Sequence, residues 1–301
     1  MKIALVTAIA AFSLDEDLAP LQEAMQAAGI QAPIVAWDDS TVSWSRFDAV
    51  LLRSTWDYSE RLAEFLSWAE RVSTQTLLLN PLDVIRRNTD KHYLADLEKL
   101  GIAVVPSQFV EPGEDAAAAL DVFLKKYADA DEFVVKPAVG AGSRDAQRYG
   151  REQREAATAH IERLISDERS VLMQPYLPSV DEAGETALMF FDGDFSHAIR
   201  KGPLLQRDEA STRALFAPEK ITARTPGKDE LALATATLAA LSGDPLAYAR
   251  VDLIRAADGS PRVLELELTE PSLFFPYGEG SAERFVARLG RRVAGRAAAA
   301  V

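Results

Sequence analysis

Residues 247–271, AYARVDLIRAADGSPRVLELELTEP, decide how the rest of the chain is interpreted. Two segments with strand-like alternation, residues 247–256 and 262–270, flank the dipeptide Asp258-Gly259. Asp-Gly between alternating apolar residues is a strong signal for a two-residue hairpin turn. We therefore predict two antiparallel strands in which Asp252 lies opposite Glu265 and Arg250 lies opposite Glu267.

This register separates charged from apolar side chains, because residues two apart on a strand share a face. Arg250, Asp252, Glu265 and Glu267 would occupy one face. The other face would hold Val251, Leu253, Leu264, Leu266 and Leu268. Like charges opposed on a sheet are destabilising, so three converging carboxylates indicate a bound cation. Oxygen ligands beside an arginine suit Mg²⁺ that holds a substrate phosphate.

Two alternatives remain open for this hairpin. A solvated polar face is ordinary for an antiparallel sheet. A three-residue loop would instead place Asp252 opposite Leu264 or Leu266 and divide the carboxylates between the two faces.

Composition limits the classes of function. The 301 residues are 48% hydrophobic, which is enough for a core shared among two or three domains. Lys+Arg number 33 against 46 Asp+Glu, a net charge of −13, which disfavours nucleic acid and anionic membranes as partners. The absence of cysteine excludes disulfides, thiol nucleophiles and zinc–thiolate sites.

The start of the chain, MKIALV, is too short an apolar run for a signal peptide. No segment approaches the roughly 20 apolar residues of a membrane span. We therefore expect a cytoplasmic protein whose partner is a small molecule, and a homo-oligomer is compatible with the sequence.

Residues 1–80 alternate strands and helices, a pattern typical of a parallel sheet wrapped by helices. We predict strands at 3–8, 32–37, 49–52 and 76–79 and helices at 14–28 and 59–72.

Ligands of such sheets gather beyond the carboxyl ends of the strands. The predicted substrate loop follows strand 49–52 there and consists of Arg53, Ser54, Thr55, Trp56 and Asp57. The alternative is that Trp56 and Tyr58 pack against the sheet while Asp57 or Ser59 caps the next helix.

Two lysines indicate an anionic ligand. We predict that residues 88–91 open a helix, which places Lys91 in the first turn, where the helix dipole disfavours a cation. A bound anion would relieve this conflict, and solvation is the alternative. Lys136 lies within the apolar strand FVVKP (133–137), where a buried lysine needs an anionic partner.

The segment after Lys136 contains Gly140, Gly142 and Ser143, whose backbone N–H groups could approach a phosphate closely. A Gly-x-Gly alone is weak evidence, since it is usually a turn. The pattern matches neither the Walker motif nor the dinucleotide-binding motif.

A strand at 171–174 leads into Pro175, Tyr176, Leu177 and Pro178, an apolar segment on which a flat base could stack. Glu182 and Glu185 then suit the hydroxyls of a ribose, unless they belong to a solvated acidic loop.

A hairpin of strands 185–191 and 195–201 ends in Arg200 and Lys201. Residues 203–228 lack periodicity, and we interpret them as a mobile loop that could close over a site.

Taken in order, these motifs resemble the ATP-grasp superfamily over nearly the full length of the chain. The resemblance implies an α/β fold with α+β character in the C-terminal part. It places an N-terminal parallel α/β domain at 1–88, a central ATP-grasp subdomain at 89–178 and a C-terminal subdomain with the metal site at 179–301.

The resemblance also implies ATP and two Mg²⁺ ions. Lys91 and Lys136, with the glycine segment, would contact nucleotide phosphates, and Arg250, Lys201 and Arg200 would neutralise the transferring phosphoryl group. Gln174, Tyr176 and Leu177 would hold adenine, and Glu182 or Glu185 ribose. Asp252, Glu265 and Glu267 would bind the metals. The family usually has Glu-x-Asn where this chain has Glu265-Leu266-Glu267, so the ligand set implied for the second metal departs from the family pattern at Glu267.

Two stretches, LRSTWDY (52–58) and FSHAIRK (195–201), resemble the small bacterial ligases that form D-cycloserine. That resemblance implies ATP-dependent cyclisation of O-ureido-D-serine through an acyl phosphate. The alternatives are a ligase that joins an amino acid or small carboxylate to an amine, and a nucleotide-binding regulatory protein without turnover.

Overall fold

In the part of the chain that the structure describes, the strands form three sheets, and amphipathic helices cover each of them. The structure is a computed structural model that describes residues 1–205, 220–241, 243 and 246–299. The strands are β1 (Ile3–Thr7), β2 (Ile34–Ala36), β3 (Ala49–Leu52), β4 (Leu77–Leu79), β5 (Gln108–Val110), β6 (Glu132–Pro137), β7 (Gln147–Gly150), β8 (Val171–Pro175), β9 (Glu185–Phe191), β10 (Asp194–Lys201), β11 (Ile221–Arg224), β12 (Tyr248–Arg255) and β13 (Pro261–Glu267). The helices are α1 (Leu18–Ala27), α2 (Leu62–Ser73), α3 (Leu82–Asn88), α4 (Tyr93–Lys99), α5 (Ala116–Lys126), α6 (Arg154–Ser166), α7 (Ser179–Ala183), α8 (Lys228–Ala239) and α9 (Ser281–Ala299).

The first sheet has the order β2-β1-β3-β4 with all strands parallel, which confirms the predicted N-terminal α/β unit. Phe65 and Trp68 of α2 bury one face of this sheet, and α1 and α9 bury the other. Helix α2 begins three residues later than predicted, because Trp56–Glu60 forms a 3₁₀ turn.

The second sheet is antiparallel with the order β5-β8-β6-β7, and α5 and α6 cover its outer face. Its edge strand β5 begins only at Gln108. Residues 103–105 pair instead with the third sheet, where Val263 N donates to Ala103 O (2.8 Å) and Val105 N donates to Val263 O (2.9 Å). This short segment therefore joins the second sheet to the third.

The third sheet is antiparallel with the order β11-β10-β9-β12-β13, and it contains the predicted hairpin β9–β10. Val251, Leu253, Leu266 and Leu268 pack toward α4 and α8, as the alternation predicts. Strand β11 occupies part of the segment interpreted as a mobile loop, whereas residues 206–219 of that segment lie outside the described residues.

The turn of the β12–β13 hairpin differs from the prediction. Ala256 N donates to Ser260 O and Gly259 N donates to Ala256 O, both at 2.9 Å, so the loop has three residues (257–259) rather than two. Near this loop Leu253 pairs with Val263, yet farther along Asp252 pairs with Glu265. A one-residue bulge at Leu264 separates the two registers and restores the predicted carboxylate pairing.

The bulge also reverses the direction of the Leu264 side chain. Leu264 packs with Tyr176 and Val180, on the side of the carboxylates, while Val263 takes its place in the core under α4 and α8. The prediction that Leu264 lies with the other leucines is therefore wrong, because the extra residue interrupts the two-residue period.

Two asparagine side chains hold the hairpin in position. The Asn80 amide nitrogen donates to Tyr248 O (2.9 Å) and Leu268 O (2.8 Å), and its oxygen accepts from Ala247 N. Asn88 binds the edge of β13 at Leu266 O and Leu268 N, both at 2.7 Å. These amides satisfy backbone groups that a neighbouring strand would otherwise pair.

The region around Lys91 also differs from the prediction. Helix α3 ends at Asn88 and α4 begins at Tyr93, so residues 88–91 do not open a helix and Lys91 lies in the connection. The conflict with a helix dipole that we inferred for Lys91 is therefore absent.

Helix α9 packs its apolar side chains Phe285, Leu289 and Val293 into the core of the first sheet. The C-terminal end of the chain thus contributes to the N-terminal core, and the boundaries at 88 and 178 stay a prediction. No helix within the described ranges has the length and apolar character needed to cross a membrane.

We expect His160 to make stability fall in weak acid. Burial lowers its pKa to about 4 from the usual 6.5, and its Nδ1 meets the Tyr149 hydroxyl at 3.0 Å. Between these two pKa values His160 is protonated in the unfolded chain but neutral in the folded chain. The free energy of unfolding is therefore highest above pH 6.5 and falls as the pH decreases toward 4. The free energy of unfolding should fall by about 2 kcal/mol between pH 7 and pH 5 from this group alone.

Denaturant unfolding of the wild type and of His160→Asn, which keeps an acceptor for Tyr149 without titrating, measures this loss. The stability difference between the two should shift by that amount in favour of the variant as the pH falls. A constant difference across this pH range would show that His160 is not the responsible group.

Candidate active site

A cavity lies between the second and third sheets and reaches the loop after β3. One end is charged and is lined by residues of β12, β13 and the glycine segment. The other end is apolar and is bordered by Val105, Val134, Val180, Ile254 and Leu264. The cavity thus offers a charged compartment and an apolar compartment side by side.

Three carboxylates converge at the charged end. Asp252, Glu265 and Glu267 each place an oxygen within 4.8 Å of the oxygens of the other two. Asp252 is fully buried beneath the cavity floor, and both glutamates line the wall. We call these three residues the acidic cluster.

Cations from three strands balance the acidic cluster. Lys136 of β6 pairs with Glu265 at 2.8 Å, although the two residues are 129 positions apart in the chain. Lys201 of β10 pairs with Asp252 at 2.8 Å. Arg250 of β12 binds Asp252 through Nε at 2.8 Å and also pairs with Glu267.

The pKa values of the three carboxyl groups differ because their cation partners differ. Burial would raise the pKa of Glu265, but Lys136 and Lys91 outweigh burial and hold it below its usual range. Arg250 and Lys201 likewise hold the pKa of Asp252 low against the effect of burial. Burial prevails at Glu267, whose pKa rises to about 8 with Asp252 as a further cause.

The acidic cluster fits a divalent metal ion of the Mg²⁺ type. Three carboxylate oxygens at mutual distances within 4.8 Å can ligate one ion, and hard oxygen ligands are those that Mg²⁺ prefers. Close packing of three carboxylates in a buried place also requires positive charge, which the lysines and Arg250 provide in the protein alone.

The glycine segment after β6 faces the acidic cluster. Lys91 donates from Nζ to Gly140 O (2.9 Å) and from its backbone to Ala138 O (2.9 Å). Gly142 and Ser143 adopt positive φ values of 61° and 58°, a backbone conformation that favours glycine. Burial lowers the pKa of Lys91. The segment therefore brings an ammonium group and a tight backbone turn to the cavity.

Residues at the apolar end suit a flat aromatic base. Gln174 of β8 and the following residues Tyr176 and Leu177 line the cavity here. The guanidinium of Arg148 lies 3.6 Å from the ring centroid of Tyr176, and the Tyr176 hydroxyl donates to Asp181 at 2.5 Å. Arg148 was not among the predicted residues, and it fixes the ring that borders this end.

Of the two acidic residues predicted for ribose, only Glu185 lines the cavity, where it pairs with Lys201 at 2.9 Å. Burial raises the pKa of Glu185. Glu182 lies on α7 with an exposed side chain, outside the cavity lining.

Lys201 lines the cavity, whereas Arg200 does not. Arg200 donates to the carbonyl oxygens of Ala183 (2.7 Å) and Glu182 (3.0 Å) and thereby holds the end of α7. Successive residues of a strand point to opposite faces, so only one of this pair can reach the acidic cluster.

Among the five residues of the predicted substrate loop, the structure places only Trp56 in the cavity lining. Arg53 is buried and donates to Asp17 at 3.1 Å, and Ser54 donates to Thr7 at 2.9 Å. Asp57 accepts from the indole of Trp37 at 2.8 Å.

Thr55 is buried as well, away from the cavity lining. Arg53, Ser54 and Asp57 thus bind residues outside the loop, and no side chain caps α2. The role of this loop in substrate binding stays a prediction.

Some residues of the cavity lining were not predicted as site residues, among them Tyr58, Tyr93, Glu270 and Ser272. Tyr93 accepts a hydrogen bond from Leu266 N at 3.0 Å, and the Ser272 carbonyl accepts from Arg250 at 3.1 Å. Glu270 follows the end of β13, where strand alternation no longer predicts direction. The sequence signals Glu270 only by an acidic residue directly before a proline.

Comparison with known proteins places this architecture in a class. The chain aligns with "ATP-grasp ligase PsnB complexed with minimal precursor, Mg, and ADP" at a TM-score of 0.62 and 20% identity, covering 97% of each chain. A parallel sheet followed by two antiparallel sheets around a charged cavity is therefore the ATP-grasp ligase fold.

Closer relatives define the family. Residues 3–80 match the family model described as D-cycloserine synthetase DcsG, N-terminal domain. The chain is 47% identical to the cycloserine biosynthesis protein DcsG of Streptomyces lavendulae, over 97% of this chain and 98% of that protein. It superimposes on the crystal structure of D-cycloserine synthetase DcsG with a TM-score of 0.92 and 46% identity, over 97% of this chain and 100% of that one. The chain belongs to the D-cycloserine synthetase family.

We expect Mg²⁺ to stabilise the protein through the acidic cluster. At ten times its Kd, an ion that binds only the folded state adds about 1.4 kcal/mol, which is a rise of about 3 °C in Tm. Glu265→Gln should weaken the effect because it removes one charged ligand. Differential scanning fluorimetry with and without Mg²⁺ measures the shift independently of turnover.

The matched control is Glu23→Gln, which removes one negative charge at an exposed position of α1. It should keep the wild-type Mg²⁺ response. Equal responses in all three proteins would locate metal binding elsewhere.

Proposed function

We propose that this protein is an ATP-dependent carbon–nitrogen ligase that cyclises O-ureido-D-serine to D-cycloserine. One observation carries the proposal: in a chain so similar to DcsG, Lys136, Lys201 and Arg250 converge on the acidic cluster beside an apolar compartment. A nucleoside triphosphate is divided in the same way as this cavity, with a flat base at one end and charged phosphates at the other.

In this proposal the adenine of ATP lies against Tyr176 and Leu177, and Glu185 binds the ribose. The phosphates extend past Gly140–Ser143 toward Lys91 and Lys136, which supply positive charge. Their ammonium groups are held in position by the Gly140 carbonyl and by Glu265, respectively. Such preorganised cations neutralise developing charge without first having to reorganise.

The ring closes in two steps, and a hydrolysis then completes the product. A carboxylate oxygen of the substrate attacks the γ-phosphorus, the bond to the bridging oxygen breaks, and ADP leaves with an acyl phosphate remaining. The substrate nitrogen bonded to oxygen then attacks the acyl carbon, phosphate departs with the C–O bonding electrons, and the nitrogen loses its proton, which leaves the carbamoyl group on the ring nitrogen. Water then attacks the carbamoyl carbon, the bond from that carbon to the ring nitrogen breaks, the ring nitrogen takes up a proton, and carbamic acid leaves. Positioning and charge neutralisation are the main demands of both steps.

The chain's own residues meet these demands. Arg250, held by Asp252 and the Ser272 carbonyl, presents its guanidinium at the charged end, and Lys201 is fixed by two carboxylates. Asp252, Glu265 and Glu267 would hold Mg²⁺, which would supply positive charge to offset the charge of the phosphates. We propose two ions, since three carboxylates offer more oxygens than one Mg²⁺ uses when it keeps waters and phosphate oxygens.

We expect O-ureido-D-serine, without a second substrate, to support the release of ADP and phosphate from ATP in the presence of Mg²⁺. A phosphate-release assay over a panel that includes ordinary amino acids, singly and in pairs with an amine, tests this, and mass spectrometry identifies the product. Lys136→Met should lose at least about 100-fold in kcat/KM, because an ammonium at the phosphates is removed.

Circular dichroism controls for the folding of Lys136→Met. A requirement for a second, separate amine would favour a joining ligase over a cyclising one. Nucleotide binding without phosphate release for any compound of the panel would refute the ligase assignment.

We also expect Arg250→Lys to separate rate from affinity. Lysine keeps the charge that Asp252 needs but loses the planar fork of the guanidinium. The value of kcat should fall by about 10- to 100-fold while KM for ATP changes by less than about threefold, because the lost contacts act in the transition state. Steady-state kinetics measure both, and equal losses in kcat and ATP affinity would assign Arg250 to ground-state binding.

A further inference from the structure

A fifth carboxylate of the cavity, Glu270, has no part in the acidic cluster. Glu270 follows the end of β13 by three residues and is 8% exposed, and it lines the charged end of the cavity. The indole nitrogen of Trp56 points to the Glu270 carbonyl oxygen at 3.4 Å. The backbone at Glu270 is thereby connected to the loop after β3.

Glu270 differs from the other acidic residues around the charged end. Glu265 pairs with Lys136, Glu267 with Arg250, and Asp252 and Glu185 with Lys201. No lysine, arginine or histidine in the described ranges lies within ion-pair distance of the Glu270 carboxylate. A buried carboxylate without a cation is costly, so this position is suited to a cation that arrives with a ligand.

The surroundings of the carboxylate support a cationic ligand. Burial raises the pKa of Glu270 to about 7, and the Tyr58 phenol, acting as a hydrogen-bond donor, partly offsets this rise. Trp56 and Tyr58 line the same part of the cavity. Aromatic faces attract ammonium groups and repel anions, which adds to the preference for positive charge.

The position of Glu270 relates it to the reacting end of the substrate. Lys91 and Arg250, the cations assigned to phosphate, both act electrostatically on its carboxyl group. A substrate carboxylate that attacks phosphorus beside Arg250 therefore lies near Glu270. In an α-amino acid the ammonium is bonded to the carbon next to that carboxylate, within reach of a side chain on the same wall.

We propose that the Glu270 carboxylate binds the α-ammonium group of the substrate, with Tyr58 orienting the carboxylate and Trp56 fixing the backbone that carries it. The inference rests on the proposed function, since it assigns the substrate's carboxylate to the charged end. It names Glu270 as the residue that makes the enzyme select α-amino acids over carboxylic acids of the same shape. A carboxylic acid without the amino group would leave the buried Glu270 carboxylate without its ion pair, and this loss accounts for the preference for α-amino acids.

Comparison of two ligands in two proteins tests this assignment. The ligands are O-ureido-D-serine and the same molecule with hydrogen in place of the amino group. The wild type should bind the amino acid about 10- to 100-fold more tightly, and Glu270→Gln should bind both ligands about equally. Calorimetry without ATP gives the affinities, and phosphate release gives kcat/KM for the same four combinations.

Glu279→Gln is the matched control, because Glu279 lies in the following segment with an exposed side chain. It should retain the wild-type preference for the amino group. Tyr58→Phe, which removes the phenol donor, should keep part of the preference. Circular dichroism verifies that each variant is folded.

The outcomes separate the inference from the proposed function. A preference for the amino group that survives in Glu270→Gln overturns the inference, as does an equal loss of affinity for both ligands. If the wild type binds the amino acid selectively through Glu270 but releases no phosphate, the ammonium site stands and the proposed function fails. If turnover is normal and Glu270→Gln leaves the preference unchanged, the function stands and the inference fails.

Discussion

The structure depends on charge compensation around one buried acidic cluster. Asp252, Glu265 and Glu267 would repel one another in a low-dielectric interior if each lacked a cation. The compensating groups come from three strands, so the third sheet must meet the second sheet at the place where Lys136 reaches Glu265. The same contacts that make the fold electrostatically tolerable also preorganise lysine and arginine side chains at the charged end of the cavity.

Local devices place this cluster with the necessary accuracy. The bulge at Leu264 compensates for a three-residue loop, so that Glu265 lies opposite Asp252. Asn80 and Asn88 bind backbone groups of the hairpin and connect it to the end of the first sheet. The bulge also turns the Leu264 side chain toward the apolar compartment, so this one extra residue affects both the charged end and the apolar end of the cavity.

Much of the site was predictable because its residues follow local rules. The alternation in β12 and β13 predicted which side chains share a face, and a lysine inside an apolar strand predicted an anionic partner. Arg200 and Lys201 show the limit of this reasoning, since two adjacent cations look equally useful until the strand's orientation selects one. The loop from Arg53 to Asp57 shows another limit, because Arg53, Ser54 and Asp57 form hydrogen bonds with the distant residues Asp17, Thr7 and Trp37.

The sequence by itself determined the class of fold, the strand pairing of the carboxylates and the order of the segments that we propose bind phosphate and base. These properties depend on periodicity and on residues close together in the chain, which physical rules connect directly. Only the tertiary structure decided that Lys136 pairs with Glu265 and that Lys201 rather than Arg200 faces the cavity. It also decided that Glu270 is buried with no cation of the described residues at ion-pair distance. Such facts depend on how three sheets meet, and the meeting of distant segments is not encoded in any local pattern.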